Sequence, residues 1–335
     1  IKCDKLTIKG EGAKETYMIY TGSSEIAFSL DAMNIPDNPN QPFLQINLSN
    51  LVIIGNNNVT KTIYANGLAY CSWEQVYAVN ANPTNGVNFY FDGVQISSFK
   101  NCGVLQYVLA NTGINWVKSY TGISLEIGHR AGTTLAGCTA NNFDRCYFKE
   151  QGIGVILREA DQNQFICVGV ENCTNYGLII GENAKYNTFI GAGFENYQSS
   201  VPAIDIVDQG TFTKYIGCYV SNHIKIQGNG IDVDNLYCTG VQIVNTAQNT
   251  TIKNIKTLYF NYGNIKGVQD NGINTFKYFI SNYSDKQNPV FDNNIYLPNV
   301  VDGKVYRVKS LTDITTQINT LVNTNGFIQG DANGT

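Results

Sequence analysis

The chain has 335 residues, of which 43% are hydrophobic and only 14% charged, with a formal net charge of −4 and a sequence pI near 5.3. This acidic balance, without any basic stripe, excludes nucleic acid as a partner. The chain has only two histidines, which excludes a multi-histidine metal site. Its nine cysteines include no Cys-x-x-Cys pair, which excludes a zinc ribbon.

The cysteines are interpreted as small buried thiols, and no cofactor is expected. No run of 18 apolar residues occurs, so we expect no membrane insertion. The chain opens in mid-pattern with IKCDKLTIKG, from which we expect it to be a piece of a longer protein.

Residues 1–90 contain short extended segments, such as KLTIKG at 5–10 and INLSNLVIIGNNN at 46–58. The proline-rich IPDNPNQP at 35–42 interrupts them and is predicted to be a surface loop.

A repeated phrase fills the middle of the chain. Its copies are FKNC at 99–102, FKEQ at 148–151, VENC at 170–173, FENY at 194–197 and VSNH at 220–223. The successive spacings from Asn101 through Glu150, Asn172 and Asn196 to Asn222 are 49, 22, 24 and 26, and the first is interpreted as two periods. Each unit holds two or three short apolar segments separated by Asn- and Gly-rich turns, with no helical period.

Three architectures have periods of this order, and two of them are excluded. The spaced leucines of a leucine-rich repeat are missing, and a propeller blade needs about 40 residues or more. A parallel β-helix of coils of roughly 20–26 residues fits, because stacked coils share one continuous core. We therefore predict an all-β solenoid over residues 1–300. Residues 301–335 are predicted to form a cap or linker with a short helix at 311–322, where Thr312 is a plausible N-cap.

Alternation along each strand predicts which side chains face the core. The strands concerned begin at Phe143, Phe165, Phe189 and Tyr215. One alternate set is apolar except for Asp144 and is predicted to point inward; it includes Cys146, Phe148, Ile166, Val168, Val170, Ile190, Ala192, Phe194, Ile216, Cys218 and Val220. The other set begins with the four aromatic residues, carries Lys149, Glu171 and Glu195, and is predicted to point outward.

The asparagines that end the repeated phrase are predicted to form a ladder, because stacked asparagines stabilise stacked strands. They are Asn101, Asn172, Asn196 and Asn222. We interpret them as structural rather than ligand-binding.

The opening CDKLTIKGEGAKETYMIYTG at residues 3–22 is similar to an early coil of right-handed parallel β-helix proteins. The Asn-rich, weakly charged coils resemble the pectate-lyase-like superfamily, in particular bacteriophage tailspikes and polysaccharide depolymerases. The resemblance implies a homotrimer on the virion tail, hence extracellular, that binds a bacterial surface polysaccharide or teichoic acid and cleaves a capsule, exopolysaccharide or teichoic acid chain. A secreted or cell-surface protein is the alternative location.

The sharpest candidate chemistry is a pair of carboxylates. Glu171 and Glu195 occupy the same column of neighbouring coils, so their carboxylates are expected within roughly 5–6 Å. Like charges that close raise one pKa, which suits acid/base hydrolysis of a glycoside. Glycines at 169, 191 and 193 would open a trough beside them. The candidate substrate-binding residues are Phe165, Phe189, Tyr147, Tyr215, Tyr219, Arg145, Lys149 and Arg158.

Other interpretations stay open. Lys149 precedes Glu171 in its column, so the two could form an ordinary surface ion pair. A backup acidic cluster lies at the preceding turns, namely Glu159, Asp161, Asp205 and Asp208. A polysaccharide lyase would need a base beside a cation such as Arg145 or Arg158. A non-catalytic receptor-binding fibre or adhesin would use the same aromatic face without chemistry.

Overall fold

The computed structural model describes residues 5–12, 15–32, 45–130, 133–196, 204–253, 255–257, 267–270, 272–273, 276–277 and 280–282. The predicted loop at 35–42, the predicted cap at 301–335 and its helix at 311–322 lie outside these residues.

The described chain winds into stacked coils that each contribute strands to three rows. Strands of the first and second rows belong to one 20-stranded sheet, and the third row forms a 12-stranded sheet. Neighbouring coils pair in parallel throughout, and the antiparallel pairing of Thr121–Arg130 with Thr133–Thr139 is the exception among the described strands. The fold is a parallel β-helix.

The first row consists of Lys5–Lys9, Ser98–Lys100, Asn142–Asp144, Gln164–Ile166, Thr188–Ile190, Lys214–Ile216, Asp232–Asp234, Thr251–Lys253 and Phe276–Lys277. The second row consists of Tyr17–Ile19, Gly103–Val104, Tyr147–Lys149, Gly169–Glu171, Gly193–Glu195, Tyr219–Val220, Tyr237–Cys238, Ile255–Thr257 and Ile280–Asn282. Two long strands, Gln45–Ile54 and Ser72–Val79, span both rows.

The third row consists of Ile26–Asp31, Lys61–Asn66, Val87–Asp92, Thr121–Arg130, Ile153–Leu157, Tyr176–Ile180, Ile204–Asp208, His223–Ile226, Gly240–Ile243 and Gly267–Asp270. Thr133–Thr139 and Ala160–Asp161 extend this sheet at its side. A 3₁₀-helix covers Gln106–Leu109.

A column of stacked aromatic rings runs through the core beneath the first row. Phe99, Phe143, Phe165, Phe189 and Tyr215 are all buried, with successive ring centroids 4.7–5.3 Å apart and planes within 12° of parallel. Parallel strands bring like residues to within about 4.8 Å, which is the spacing that stacked rings need. The prediction that Phe143, Phe165, Phe189 and Tyr215 face outward is therefore wrong, and so is the prediction that the last three bind substrate.

The cause is a single left-handed residue between the first and second rows. Arg145, Cys167, Gly191 and Gly217 have φ values of 51°, 51°, 58° and 63°. Each breaks the extended strand and turns the chain, so the alternation restarts on the opposite side after it. Residues before the break therefore face the other way from the prediction, and Asp144 lies outward in keeping with its charge.

Beyond the break, the predicted inward residues do lie in the core. They are Cys146, Phe148, Val168, Val170, Ala192, Phe194, Cys218 and Val220. Before it, Ile190 and Ile216 point to solvent with 36% and 42% of their surface exposed.

The repeat has a different register from the predicted one. Phe99 pairs with Phe143, not with Phe148, so FKNC belongs to the first row. The 44 residues from Phe99 to Phe143 form a single long coil that contains the 3₁₀-helix and the antiparallel pair. Phe143, Phe165 and Phe189 follow at 22 and 24 residues, as predicted for single coils.

The asparagine ladder lies at the start of the first row. Asn141, Asn163 and Asn187 are buried, and each amide oxygen accepts hydrogen bonds from the preceding coil, as in Asn141 N to Asn163 Oδ1 at 3.0 Å and Asn163 N to Asn187 Oδ1 at 3.1 Å. Two of the predicted ladder positions are wrong, because Asn101 and Asn172 instead hold left-handed turns, which asparagine tolerates. Asn196 is buried and accepts from the Cys173 amide of the preceding coil at 2.8 Å, and Asn222 donates to the Asn196 carbonyl.

Eight cysteines are described, and none of them forms a disulfide; seven are buried, as the composition predicted, and Cys167 is exposed. Among the described residues, no helix has the length and apolar character to span a bilayer.

Candidate functional site

Three charged residues form one column on the outer side of the second row. Lys149 pairs in register with Glu171, and Glu171 with Glu195 on the next coil. Lys149 Nζ lies 3.6 Å from Glu171 Oε2, and 26% of the Glu171 side chain is exposed. The column places two carboxylates on adjacent coils with a cation beside the first.

Burial, and then the negative charge of Glu195, raises the pKa of Glu171 above its ordinary value. Lys149 opposes this, but at 3.6 Å from the carboxylate it does not reverse the direction. A carboxyl group with a raised pKa keeps its proton to higher pH, which is the property of a general acid.

Two glycines lie between two tyrosines in the column next to the carboxylates, where Tyr147, Gly169, Gly193 and Tyr219 pair in register. The ring of Tyr147 covers Gly169, where a Cβ would come within 2.2 Å of it, so only glycine fits there. Above Gly193 the nearest atom that a Cβ would meet is Glu195 Oε1 at 3.7 Å. The surface beside Glu195 is therefore open.

The open surface continues across the bend to the first row. A Cβ at Gly217 would meet no atom within 4 Å, and exposed Cys167 lies in the same bend column. Ile190 and Ile216 border the bend on its other side. The sequence analysis assigned both isoleucines to the core. The sequence signal for their outward orientation is the glycine that follows each, Gly191 and Gly217, because glycine permits the left-handed bend.

The two predicted arginines are held by other carboxylates. Arg145 donates from Nη2 to Asp144 Oδ2 at 2.9 Å, beside it in sequence. Arg158 donates from Nη1 to Glu126 Oε1 at 2.9 Å, in the sheet of the third row. Their ion-pair partners are thus Asp144 and Glu126 rather than Glu171 or Glu195.

The backup acidic cluster does not assemble into one surface site. Asp205 and Asp208 are buried, where Asp205 Oδ2 accepts from Ser221 Oγ at 3.1 Å and Asp208 Oδ1 from the Gly210 amide at 2.8 Å. Burial raises the pKa of each to about 6, against these hydrogen bonds, which lower it.

The other two members accept hydrogen bonds from the next coil. Asn183 donates to Glu159 Oε1 at 2.6 Å, and the Lys185 amide donates to Asp161 Oδ1 at 3.0 Å. All four acidic residues thus serve hydrogen bonds within the coil edge. Within the described part of the chain, no cluster of three or more His, Cys, Asp or Glu residues could hold a metal ion.

No protein-family model matches the chain, and no curated protein matches it. Among solved structures, ORF18 of Geobacillus virus E2 is similar at a TM-score of 0.48 and 15% identity, over 83% of this chain and 52% of that one. The enzymatically active domain of bacteriophage CBA120 tailspike protein 2 is similar at a TM-score of 0.27 and 10% identity, over 79% of this chain and 42% of that one.

The chain therefore spans about half the length of these two structures. Both are phage proteins. The parallel β-helix that the sequence predicts is confirmed by the strand pairing of the chain itself.

Proposed function

We propose that this chain is the β-helical part of a tailspike-like phage protein that binds a bacterial surface glycan and depolymerises it by acid/base hydrolysis. The observation that carries the proposal is the in-register pairing of Glu171 with Glu195 on an open outer surface. In this proposal the protein acts outside the host cell, as a homotrimer on the virion tail.

Glu171 is assigned the general acid, because its pKa is raised. It protonates the glycosidic oxygen as the bond to the anomeric carbon breaks. Glu195, ionised, attacks that carbon and forms a glycosyl ester. Glu171, now a carboxylate beside Lys149, takes a proton from water, which attacks the ester and releases Glu195. Adjacent coils lie about 4.8 Å apart, close to the roughly 5–5.5 Å of a retaining pair.

The remaining surface supplies binding. Ile190 and Ile216 offer apolar contact for the carbon–hydrogen faces of sugar rings, and Gly193 and Gly217 leave room for them. Tyr147 and Tyr219 flank the carboxylates with half-buried rings that carry hydroxyl groups. Such a mixture of apolar surface and few polar groups is typical of ligand sites.

A second candidate function is glycan binding without cleavage. The Lys149–Glu171 ion pair favours it, because a carboxylate held by a cation is stabilised in its ionised form. A lyase has less support, since Arg145 and Arg158 are both engaged by other carboxylates.

The test is product analysis on a panel of bacterial surface glycans with wild type, Glu171→Gln and Glu195→Gln. Glu182→Gln, at an exposed turn, is the matched control. New reducing ends that disappear in the two site variants but persist in the control support the hydrolase. Ultraviolet-absorbing products indicate a lyase, binding without cleavage indicates a fibre, and cleavage that survives both substitutions contradicts the assigned pair.

A further inference from the structure

A second cluster of polar and aromatic side chains lies on the sheet of the third row, away from the Glu171–Glu195 column. Tyr64 and Tyr90 pair in register on adjacent coils, with ring centroids 6.0 Å apart. Lys61 Nζ lies 4.4 Å from the first ring centroid and 3.9 Å from the second. The two rings of this aromatic platform are half-buried, and the Lys61 ammonium group lies over both of them as a shared cation–π contact.

Four polar residues follow in register at the far ends of the same strands. They are Asp31, Asn66, Asp92 and Glu126 on four successive coils. Asn66 donates to Asp31 Oδ1 at 3.1 Å, and Tyr64 hydrogen-bonds with Asp92. The platform is thereby joined to a row of side-chain oxygen atoms.

Glu126 is the best-defined member of this row. Only 8% of its surface is exposed. Ser124 Oγ and Arg158 Nη1 both donate to Oε1, the latter at 2.9 Å. A nine-tenths-buried carboxylate thus lies beside the platform, with both of these donors on one of its two oxygens.

The arrangement costs stability. Asp92 lies directly opposite Glu126 in the strand pairing, and like charges in that position are destabilising. The row has three carboxylates, those of Asp31, Asp92 and Glu126. The two cations of Lys61 and Arg158 offset part of this negative charge. Strained or repulsive arrangements that a stable fold retains are found most often at functional sites.

We propose that Lys61, Tyr64, Tyr90, Asp92, Glu126 and Arg158 form a second carbohydrate site that takes an uncharged, hydroxyl-rich sugar. The two tyrosine rings and the ammonium group over them contact the sugar ring, and the Glu126 carboxylate accepts from its hydroxyl groups. Burial and Asp92 raise the pKa of both tyrosines, so their hydroxyls remain donors. With Asp31 at the end of the same row, three carboxylates stand against Lys61 and Arg158, and an anionic sugar would face this excess negative charge. This site does not depend on cleavage by Glu171 and Glu195.

The experiment is binding of the full chain to an array of neutral, uronic-acid and phosphate-bearing oligosaccharides, with Tyr90→Ala and Glu126→Gln. Tyr176→Ala, also half-buried on the third row, is the matched control. Binding of a neutral glycan that weakens at least about threefold in both variants, but not in the control, is expected. Thermal unfolding confirms that each variant is folded.

Glu195→Gln separates this proposal from the first, because it should abolish cleavage and leave neutral-glycan binding at this site unchanged. Equal binding by wild type, Tyr90→Ala and Glu126→Gln would overturn the second site. So would binding confined to acidic glycans, or no binding to any neutral glycan on the array.

Discussion

Tyr215 Oη donates a hydrogen bond of 3.0 Å to Asp208 Oδ2 inside the solenoid, where both side chains are fully buried. Asp208 stands in the column of Ile180 and Ile226, so a titratable group replaces an aliphatic one in the core. Tyr215 in turn ends the aromatic stack that starts at Phe99. The pair joins the first and third rows through a polar contact in an apolar interior.

The first prediction concerns pH and stability. Burial raises the pKa of Asp208 from 3.8 to about 6, so the folded protein binds this proton more tightly than the unfolded chain does. Its contribution to stability is therefore present below about pH 4 and is lost as the pH rises to about 6, by about 3 kcal/mol. Asp208→Asn removes this dependence.

The measurement is the free energy of unfolding of wild type and Asp208→Asn from pH 3.5 to 7.5. The variant should gain about 3 kcal/mol relative to wild type across that range. A difference between the two proteins that stays constant with pH would contradict the assignment.

Phe165→Ala tests whether the aromatic column is core. Removing a fully buried ring between Phe143 and Phe189 should cost about 3–5 kcal/mol of unfolding free energy. If the ring lay on the surface, the same substitution would change the free energy of unfolding by about 0.5 kcal/mol or less. Denaturant unfolding measures this, with Tyr219→Ala, half-buried, as the comparison that should lose much less.

The asparagine ladder yields a third prediction. Asn163→Ala removes the acceptor of the Asn141 amide and the donor to the Cys138 carbonyl, so about 2–4 kcal/mol of stability should be lost. Asn172→Gly, at a φ of 52°, should be close to neutral because glycine adopts that conformation freely. Similar losses in both variants, measured by thermal unfolding, would argue against the distinction between ladder and turn positions.

Lys149→Met tests the cation beside the proposed acid. Loss of the ammonium group 3.6 Å from Glu171 disfavours the carboxylate and raises the Glu171 pKa further. The basic limb of the pH–rate profile for glycan cleavage should therefore move to higher pH. Lys100→Met, which breaks the Lys100–Glu74 pair at 3.5 Å, should leave the profile in place, and an unmoved limb in Lys149→Met would exclude Glu171 as the acid.

The periodicity of short apolar segments was enough to predict a parallel β-helix, because each coil must bury its apolar side on the next. It also placed Glu171 opposite Glu195 correctly, since both follow the bend at the same distance. The spacings of 22 and 24 residues are a property of the chain and need no tertiary information.

The direction of the side chains in the first row was decided only by the tertiary structure. Simple alternation assumes an unbroken strand, and the left-handed conformation at Arg145 and Cys167 carries no sequence signature, because these residues rarely adopt it. Pairing between coils enforces that conformation. It therefore buries Phe165 and exposes Ile190.

The cluster of the third row was beyond sequence reasoning for a related reason. Tyr64 and Tyr90 are 26 residues apart, and Glu126 lies a further 36 residues on, because the long coil inserts extra chain between them. No fixed period relates them.

The amino-acid sequence determined the solenoid and its repeat, because burial of periodic apolar residues is a local demand. The tertiary structure decided which side chains meet on its surface, because bends and insertions set the register between coils.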